Sequence, residues 1–285
     1  MADFYTEVRE LQERLVAWRR DFHAHPELGF QEQRTADIVA QRLRELGYQV
    51  QTGIAHTGVI GVLEGQRPGP VVMLRFDMDA LPITEENTTD YASQSPGVMH
   101  ACGHDGHVAI GLGVATLAAA HRAEMAGALK LVFQPGEEGM NGADLMVKEG
   151  ALENPRPDLF LAAHLWNEKP VGTVDVSPGA IMAAAEKWTC TVRGKGGHGA
   201  LPHQTVDPIV ATAQIITALQ TVVSRNVSPL ETAVVTVGTV YGGDAFNIIP
   251  AQVNLTGTIR TYNPDVRETV LRRVREVIEG VAMAC

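Results

Sequence analysis

An alternation constrains the fold of this chain more than any other feature. Short continuous apolar runs at residues 58–63, 71–76, 129–133 and 159–163 are separated by helix-like stretches, among them a Gly- and Ala-rich segment at 107–121. A run without polar alternation suits a strand buried on both faces, and strands alternating with helices stack into one sheet that the helices cover. The expected architecture is therefore α/β with a mixed, mostly parallel sheet. Two helices should open the chain. Leu11, Leu15, Trp18 and Phe22 recur at helical spacing, and a second amphipathic pattern through Ile38, Val39, Leu43 and Leu46 stops at Gly47, a fitting C-cap.

Near residues 179–186 the texture changes. The remainder reads as strand 187–193, helix 207–223, strand 233–240, strand 253–261 and helix 266–282. That β-α-β-β-α order suggests a ferredoxin-like α+β unit without its last strand. The 285 residues are enough for two domains of ordinary size, expected at 1–183 and 184–285.

Charge and cysteine usage exclude several classes. A formal net charge of -10, from 33 acidic and 23 basic residues, disfavours a nucleic-acid partner, which would need clustered Lys and Arg. Cys102, Cys190 and Cys285 are odd in number and widely spaced, so a reducing compartment is the simpler reading. No basic segment followed by an apolar core opens the chain, and the weakly apolar run at 108–120 is too short and Gly-broken to cross a bilayer. A cytoplasmic protein with neither membrane nor nucleic-acid partner is expected. Nucleotide binding fails on detail: Gly194-Lys195-Gly196 lacks the Ser or Thr that follows a phosphate-loop Lys, and Gly111-Leu112-Gly113 is followed by Thr116 where a small Gly or Ala is needed.

The chemistry concentrates in Met99-His100-Ala101-Cys102-Gly103-His104-Asp105-Gly106-His107. Thiol and imidazole groups suit zinc and similar divalent ions. A buried Cys beside polar loop histidines would look the same. Three further segments are polar where an apolar strand ends: Asp77-Met78-Asp79, Gly136-Glu137-Glu138-Gly139 and Ala163-His164-Leu165. Taken singly, they read equally well as a turn, a solvated loop and a core imidazole. Ligands gather at the carboxyl ends of strands in open α/β sheets, so these segments could meet in one crevice. Adjacent carboxylates on an extended chain point to opposite sides, which lets Glu138 bind an ion while Glu137 moves protons.

With these motifs in view, the chain resembles the metallopeptidase family of aminoacylases, hippurate hydrolases, indole-acetyl-amino-acid hydrolases and carboxypeptidase G, and most nearly the hippurate hydrolase type. The resemblance runs through residues 19–29, Asp77-Met78-Asp79-Ala80-Leu81-Pro82, the Cys102 motif, Glu137-Glu138-Gly139 and Gly197-His198-Gly199. It implies a zinc-peptidase-like catalytic domain and an inserted lid and dimerisation domain. It also implies a centre of two divalent metal ions (zinc, manganese, cobalt or nickel) held by Cys102, His104, Glu138 and His164, with Glu137 as general base. Asp79 resembles the family carboxylate that orients a ligand. Asp77 stands where other branches place a histidine ligand, and His107 and His203 receive no role.

In the second domain His198 matches the histidine that reaches the partner subunit's active site of a homodimer and stabilises the tetrahedral oxyanion. Asn247 and Arg260 resemble residues that hold the substrate's carboxylate, for which an Arg fork is suited; a loop Asn and a strand Arg on the surface would also account for them. The implied reaction is hydrolysis of N-acyl amino acids such as hippurate, with metal-borne hydroxide attacking the acyl carbonyl. Dipeptidase or exopeptidase activity is the alternative within the same class. Members of the family run past this length and supply a further histidine ligand after the lid, so a truncated chain is expected, with a catalytically impaired protein that keeps fold and metal as the reading outside the enzyme class.

Overall fold

The computed structural model describes residues 4–285, which divide between Val171 and Gly172 into two compact units. Residues 172–183 carry neither helix nor strand.

The first unit is built on a five-stranded sheet of β1 (Gln49–Ile54), β2 (Gly58–Glu64), β3 (Arg67–Asp77), β4 (Ala126–Gln134) and β5 (Leu159–Ala162), in spatial order β1-β2-β4-β3-β5. Its helices are α1 (Phe4–Ala24), α2 (Gln33–Glu45), α3 (His104–Ala120) and α4 (Gly142–Lys148). Helix α2 ends where Gly47 takes φ +83°, the left-handed conformation that a helix-ending glycine supplies without strain.

The sheet is mixed but not mostly parallel. β3 runs parallel to β4 and to β5, whereas β2 is antiparallel to both β1 and β4. Connection length explains the correction. Only the stretches between β3 and β4 and between β4 and β5 are long enough for a crossover, and the short turns around β2 can only reverse the chain.

Side chains alternate across β4. Leu131 and Phe133, both fully buried, enter the cluster that holds Phe22, Val39, Leu43, Phe76, Val108 and Leu112, while Val132 points to the opposite cluster with Ile60, Met73 and Met146. Each such burial stabilises the fold by about 1.5–3 kcal/mol. β5 departs from the expectation of a strand buried on both faces, because Leu159, Phe160 and Leu161 remain about half exposed. It pairs with β3 alone among the described residues.

The second unit is an antiparallel sheet of β6 (Ala184–Arg193), β8 (Ala233–Tyr241) and β10 (Gln252–Thr261), ordered β6-β10-β8, with helices α5 (Pro208–Asn226) and α6 (Pro264–Ala284). β10 lies between the two strands that α5 connects, a split β-α-β arrangement. One apolar cluster joins Ile215, Leu219 and Val222 of α5, Val270 and Val274 of α6, and Val253, Leu255 and Ile259 of β10. A small pair, β7 (Gly197–His198) with β9 (Ile248–Ile249), stands beside this sheet. Among the described residues no helix is long and apolar enough to cross a membrane.

Candidate metal centre

Strand register brings the chemical residues together. Asp77 at the end of β3 is level with Gln134 at the end of β4, and Arg75 is level with Ala162 at the end of β5. The residues that follow, Met78-Asp79, Pro135 to Glu138 and Ala163-His164, therefore leave the sheet at the same edge. Helix α3 starts there too, after Gly103 turns the chain with φ +86°. His104 thus sits on its first turn and is fully buried.

Around His104 three groups of donor atoms lie within 4.8 Å of one another: Cys102 with His104 and His164, Asp77 with His104 and His107, and His104 with Glu137 and Glu138. Cys102 Sγ is 3.5 Å from His164 Nε2. Ligands at about 2.0 and 2.3 Å from one tetrahedral ion stand about 3.5 Å apart, so this pair fits a shared cation. His104 Nδ1 faces the Asp79 carbonyl at 2.8 Å and Asp79 Oδ1 at 3.2 Å. Its Nε2 is buried without a hydrogen-bond partner, as is Glu138 Oε1. Orphaned buried polar atoms of this kind are rare unless something else satisfies them. Asp77 Oδ2 has no well-aligned hydrogen bond either, although Arg75 Nη1 lies 2.7 Å away as an ion-pair partner. The donor set and these orphans fit a divalent metal centre.

The electrostatics agree. Burial opposes a charged His104, yet the hydrogen bond to Asp79, the Cys102 contact and the charges of Asp77 and Asp79 outweigh it and raise its pKa to about 11. The pocket thus favours positive charge where an ion would reside. Burial would raise Asp77, but the His107 hydrogen bond and the positive charge of His104 and Arg75 hold it down to about 2. Glu137 sits at the mouth with an exposed side chain. Partial desolvation, then the charges of Asp77 and Glu138, still push its carboxyl above the usual range. Two carboxylates pin the loop that carries it: Glu32 accepts from Gly136 N at 2.9 Å and Thr57 Oγ1 at 2.6 Å, and Asp79 Oδ2 accepts from Glu138 N at 2.8 Å.

Asp77, Asp79, Cys102, His104, Glu137, Glu138 and His164 therefore share one region of the first unit. His198, Asn247 and Arg260 belong to the second unit. His198 and Asn247 are neighbours there, since Gly199 N donates to Asn247 O at 2.8 Å beside the β7–β9 pair. Arg260 lies elsewhere, near the far end of β10, eight strand steps or roughly 25 Å beyond Gln252. Its guanidinium contacts Thr258 Oγ1 and the Ile259 carbonyl. Sequence reasoning passed over His107 and Glu32. His107 follows His104 by one helical turn, a spacing that places both on one face of α3; Glu32 carried no comparable signal.

An α/β unit that gathers thiol, imidazole and carboxylate donors at its strand ends has the makings of a metal-binding protein. The family resemblance holds: the chain belongs to peptidase family M20/M25/M40, whose model matches residues 73–284. It is 43% identical over 278 residues to an N-acyl-L-amino acid amidohydrolase of Geobacillus stearothermophilus, covering 97% of this chain and 75% of that protein. It is 42% identical over 264 residues to IAA-amino acid hydrolase ILR1-like 2 of Arabidopsis thaliana, covering 93% of this chain and 59% of the other. Among solved structures it resembles the Bacillus subtilis YXEP protein, described as a dinuclear metal binding peptidase, with a TM-score of 0.79 and 36% identity across 97% of this chain and 71% of that one. A putative aminohydrolase from methicillin-resistant Staphylococcus aureus superposes with a TM-score of 0.89 at 36% identity, covering 97% and 73%.

Proposed function

We propose that this chain hydrolyses the amide bond of N-acyl amino acids, with Cys102, His104, Glu138 and His164 holding two divalent ions and Glu137 moving the proton. The observation that carries this reading is the convergence on His104 of thiol, imidazole and carboxylate donors, among which His104 Nε2 and Glu138 Oε1 are buried without a hydrogen-bond partner. When bound, the ions would supply Lewis acidity at the scissile carbonyl and make a water molecule easier to deprotonate. Glu137 stands beside Glu138 at the open side of the cluster, where its raised carboxyl can take a proton from water and return it to the departing amine. Asp79 fixes the His104 tautomer through Nδ1 and leaves Nε2 for the ion. The relatives named as N-acyl-L-amino acid amidohydrolase and N-acetyl-L-cysteine deacetylase support an acylated amino acid as the substrate class.

In this reading the second unit serves as lid and dimerisation domain. His198 would stabilise the developing oxyanion from a partner subunit, and Asn247 and Arg260 would hold the substrate's carboxylate. The strand length between the last two means that one copy cannot grip a single carboxylate with both. A homodimer, in which one subunit contributes Asn247 and the other Arg260, removes that difficulty.

Chelator-sensitive hydrolysis of hippurate or an N-acetyl amino acid tests the activity. Glu137→Gln should lower kcat by about 10²–10⁴-fold while metal content stays that of the parent. Undiminished turnover in this variant would overturn the base assignment. A carboxypeptidase relative from Saccharolobus solfataricus, 37% identical over 278 residues, favours a second reading in which peptides are cleaved. Comparison of kcat/KM for N-acetyl amino acids and dipeptides separates the two.

A further inference from the structure

His107 has no part in the reaction outlined above, yet its ring is 3% exposed and both nitrogens are engaged. Nδ1 lies 2.5 Å from Asp77 Oδ1, and Nε2 accepts the Leu165 N–H at 2.9 Å. A carboxylate only accepts and a backbone amide only donates, so the neutral tautomer with its proton on Nδ1 satisfies both neighbours. Neither nitrogen is left for an ion. Asp77, His104 and His107 are close enough to look like a ligand trio, but the hydrogen bonds make His107 a link rather than a ligand.

The link joins the end of β3 to the residue after His164. That segment has little else to hold it: β5 is four residues long, pairs with β3 alone among the described residues, and leaves Leu159, Phe160 and Leu161 about half exposed. Leu165 carries the connection onward, because His164 Nδ1 stands 2.6 Å from the Leu165 carbonyl. The His107 and His164 rings meet edge to face with centroids 4.6 Å apart. Gly106 of helix α3 faces the Leu165 side chain, whose Cδ1 methyl occupies the space a Cβ there would take.

We propose that His107 is a positioning residue that sets where His164 stands, through the path Asp77, His107, the Leu165 amide and the Leu165 carbonyl, and so holds His164 Nε2 opposite Cys102 Sγ. The inference rests on the reading of His164 as a metal ligand. It predicts that the acceptor facing Leu165 N–H matters more than the ring. Gln at position 107 can place its Oε1 where Nε2 stood, whereas Asn can still donate to Asp77 but stops short of Leu165.

The test is cobalt(II) binding to the metal-free full chain, followed by the visible absorption of the bound ion and by competition with a chelator. His107→Ala and His107→Asn should bind about 10–100-fold more weakly than the parent, with altered ligand-field bands. His107→Gln should restore parent-like affinity and spectrum. Far-UV circular dichroism establishes that each variant folds, and if His107→Ala does not, the Asn and Gln pair still decides. Equal affinity for Asn and Gln overturns the proposal, as does parent-like binding by His107→Ala while His164→Ala binds weakly. Parent-like binding by both His164→Ala and Cys102→Ala would instead remove the ligand reading beneath it.

Discussion

The two units bury very different things. Within the first, His23, Glu32, Asp77, Asp79, His100, His104, Asp105, His107, Lys130 and Gln134 are all buried, whereas the buried polar residues described in the second are Thr212 and Thr261. Withdrawing an ionisable group from water is unfavourable unless a partner compensates, so a unit that does it repeatedly is organised around those groups. His23 illustrates the compensation, with Asp105 2.6 Å from one ring nitrogen and Glu85 3.1 Å from the other. The second unit follows the ordinary rule of an apolar interface between sheet and helices. Its stability should be indifferent to ions and nearly indifferent to protonation.

Metal removal is the strongest test of that contrast. An ion that binds only the folded first unit stabilises it by about 4 kcal/mol at a thousandfold excess over Kd. Trp18 packs against the core of the first unit and Trp188 against that of the second, so each can serve as the sole fluorescent reporter once the other tryptophans are replaced by Phe. Adding a chelator should lower the urea midpoint seen by Trp18 and leave that seen by Trp188 unchanged. Equal shifts at both reporters would break the comparison.

Protonation should sharpen it next. Burial holds the His100 pKa down to about 4, and neither ring nitrogen has a hydrogen-bond partner. Because the folded value lies below the ordinary 6.5, the unfolded chain binds more protons between the two. The neutral imidazole's contribution is complete above pH 6.5 and is lost as pH falls toward 4, a loss on the order of 3 kcal/mol. His23 works in the opposite sense. The Asp105 hydrogen bond raises its pKa, so its contribution is present below 6.5 and fades as pH rises through the folded value. Urea midpoints of the chelated protein, read at Trp18 across pH 7 to 4, should fall, and His100→Phe should flatten that fall. An equally steep fall at Trp188 would show that the acid sensitivity does not belong to the first unit.

The same contrast explains what the sequence revealed. In the second unit the expected strands and helices agree with the five long observed elements to within three residues at either end, while the short β7–β9 pair was missed. In the first unit the apolar runs at 58–63, 71–76 and 129–133 marked the strands, but β1 was missed because Val50 and Ile54 are too few among Gln49, Gln51, Thr52 and Gly53 to make an apolar run. Relative strand direction was not legible either, since it depends on which connections are long enough to cross over. The metal residues were legible as types beside strand ends. The carboxylate and imidazole links that orient them, through Asp79, Glu32 and His107, were not, because a hydrogen bond between residues far apart in the chain leaves no periodicity.

The helix starts carry the contrast to its smallest expected effect. Asp207 caps α5 by accepting from Ile209 N at 2.8 Å and Val210 N at 3.3 Å, ahead of Pro208 at the first helical position. Helix α3 has no side-chain cap, because Gly103 occupies that position with φ +86° and delivers His104 into the cluster. Asp207→Ala should therefore lower the stability of the second unit by about 1 kcal/mol, read as a shift at Trp188. The mirror change, Gly103→Ser, places a good capping residue where an L side chain is strained, so it should stabilise nothing and should weaken cobalt(II) binding. A gain in stability at Trp18 from Gly103→Ser would mean that this turn is an ordinary helix start and that the first unit gives up nothing there to its chemistry.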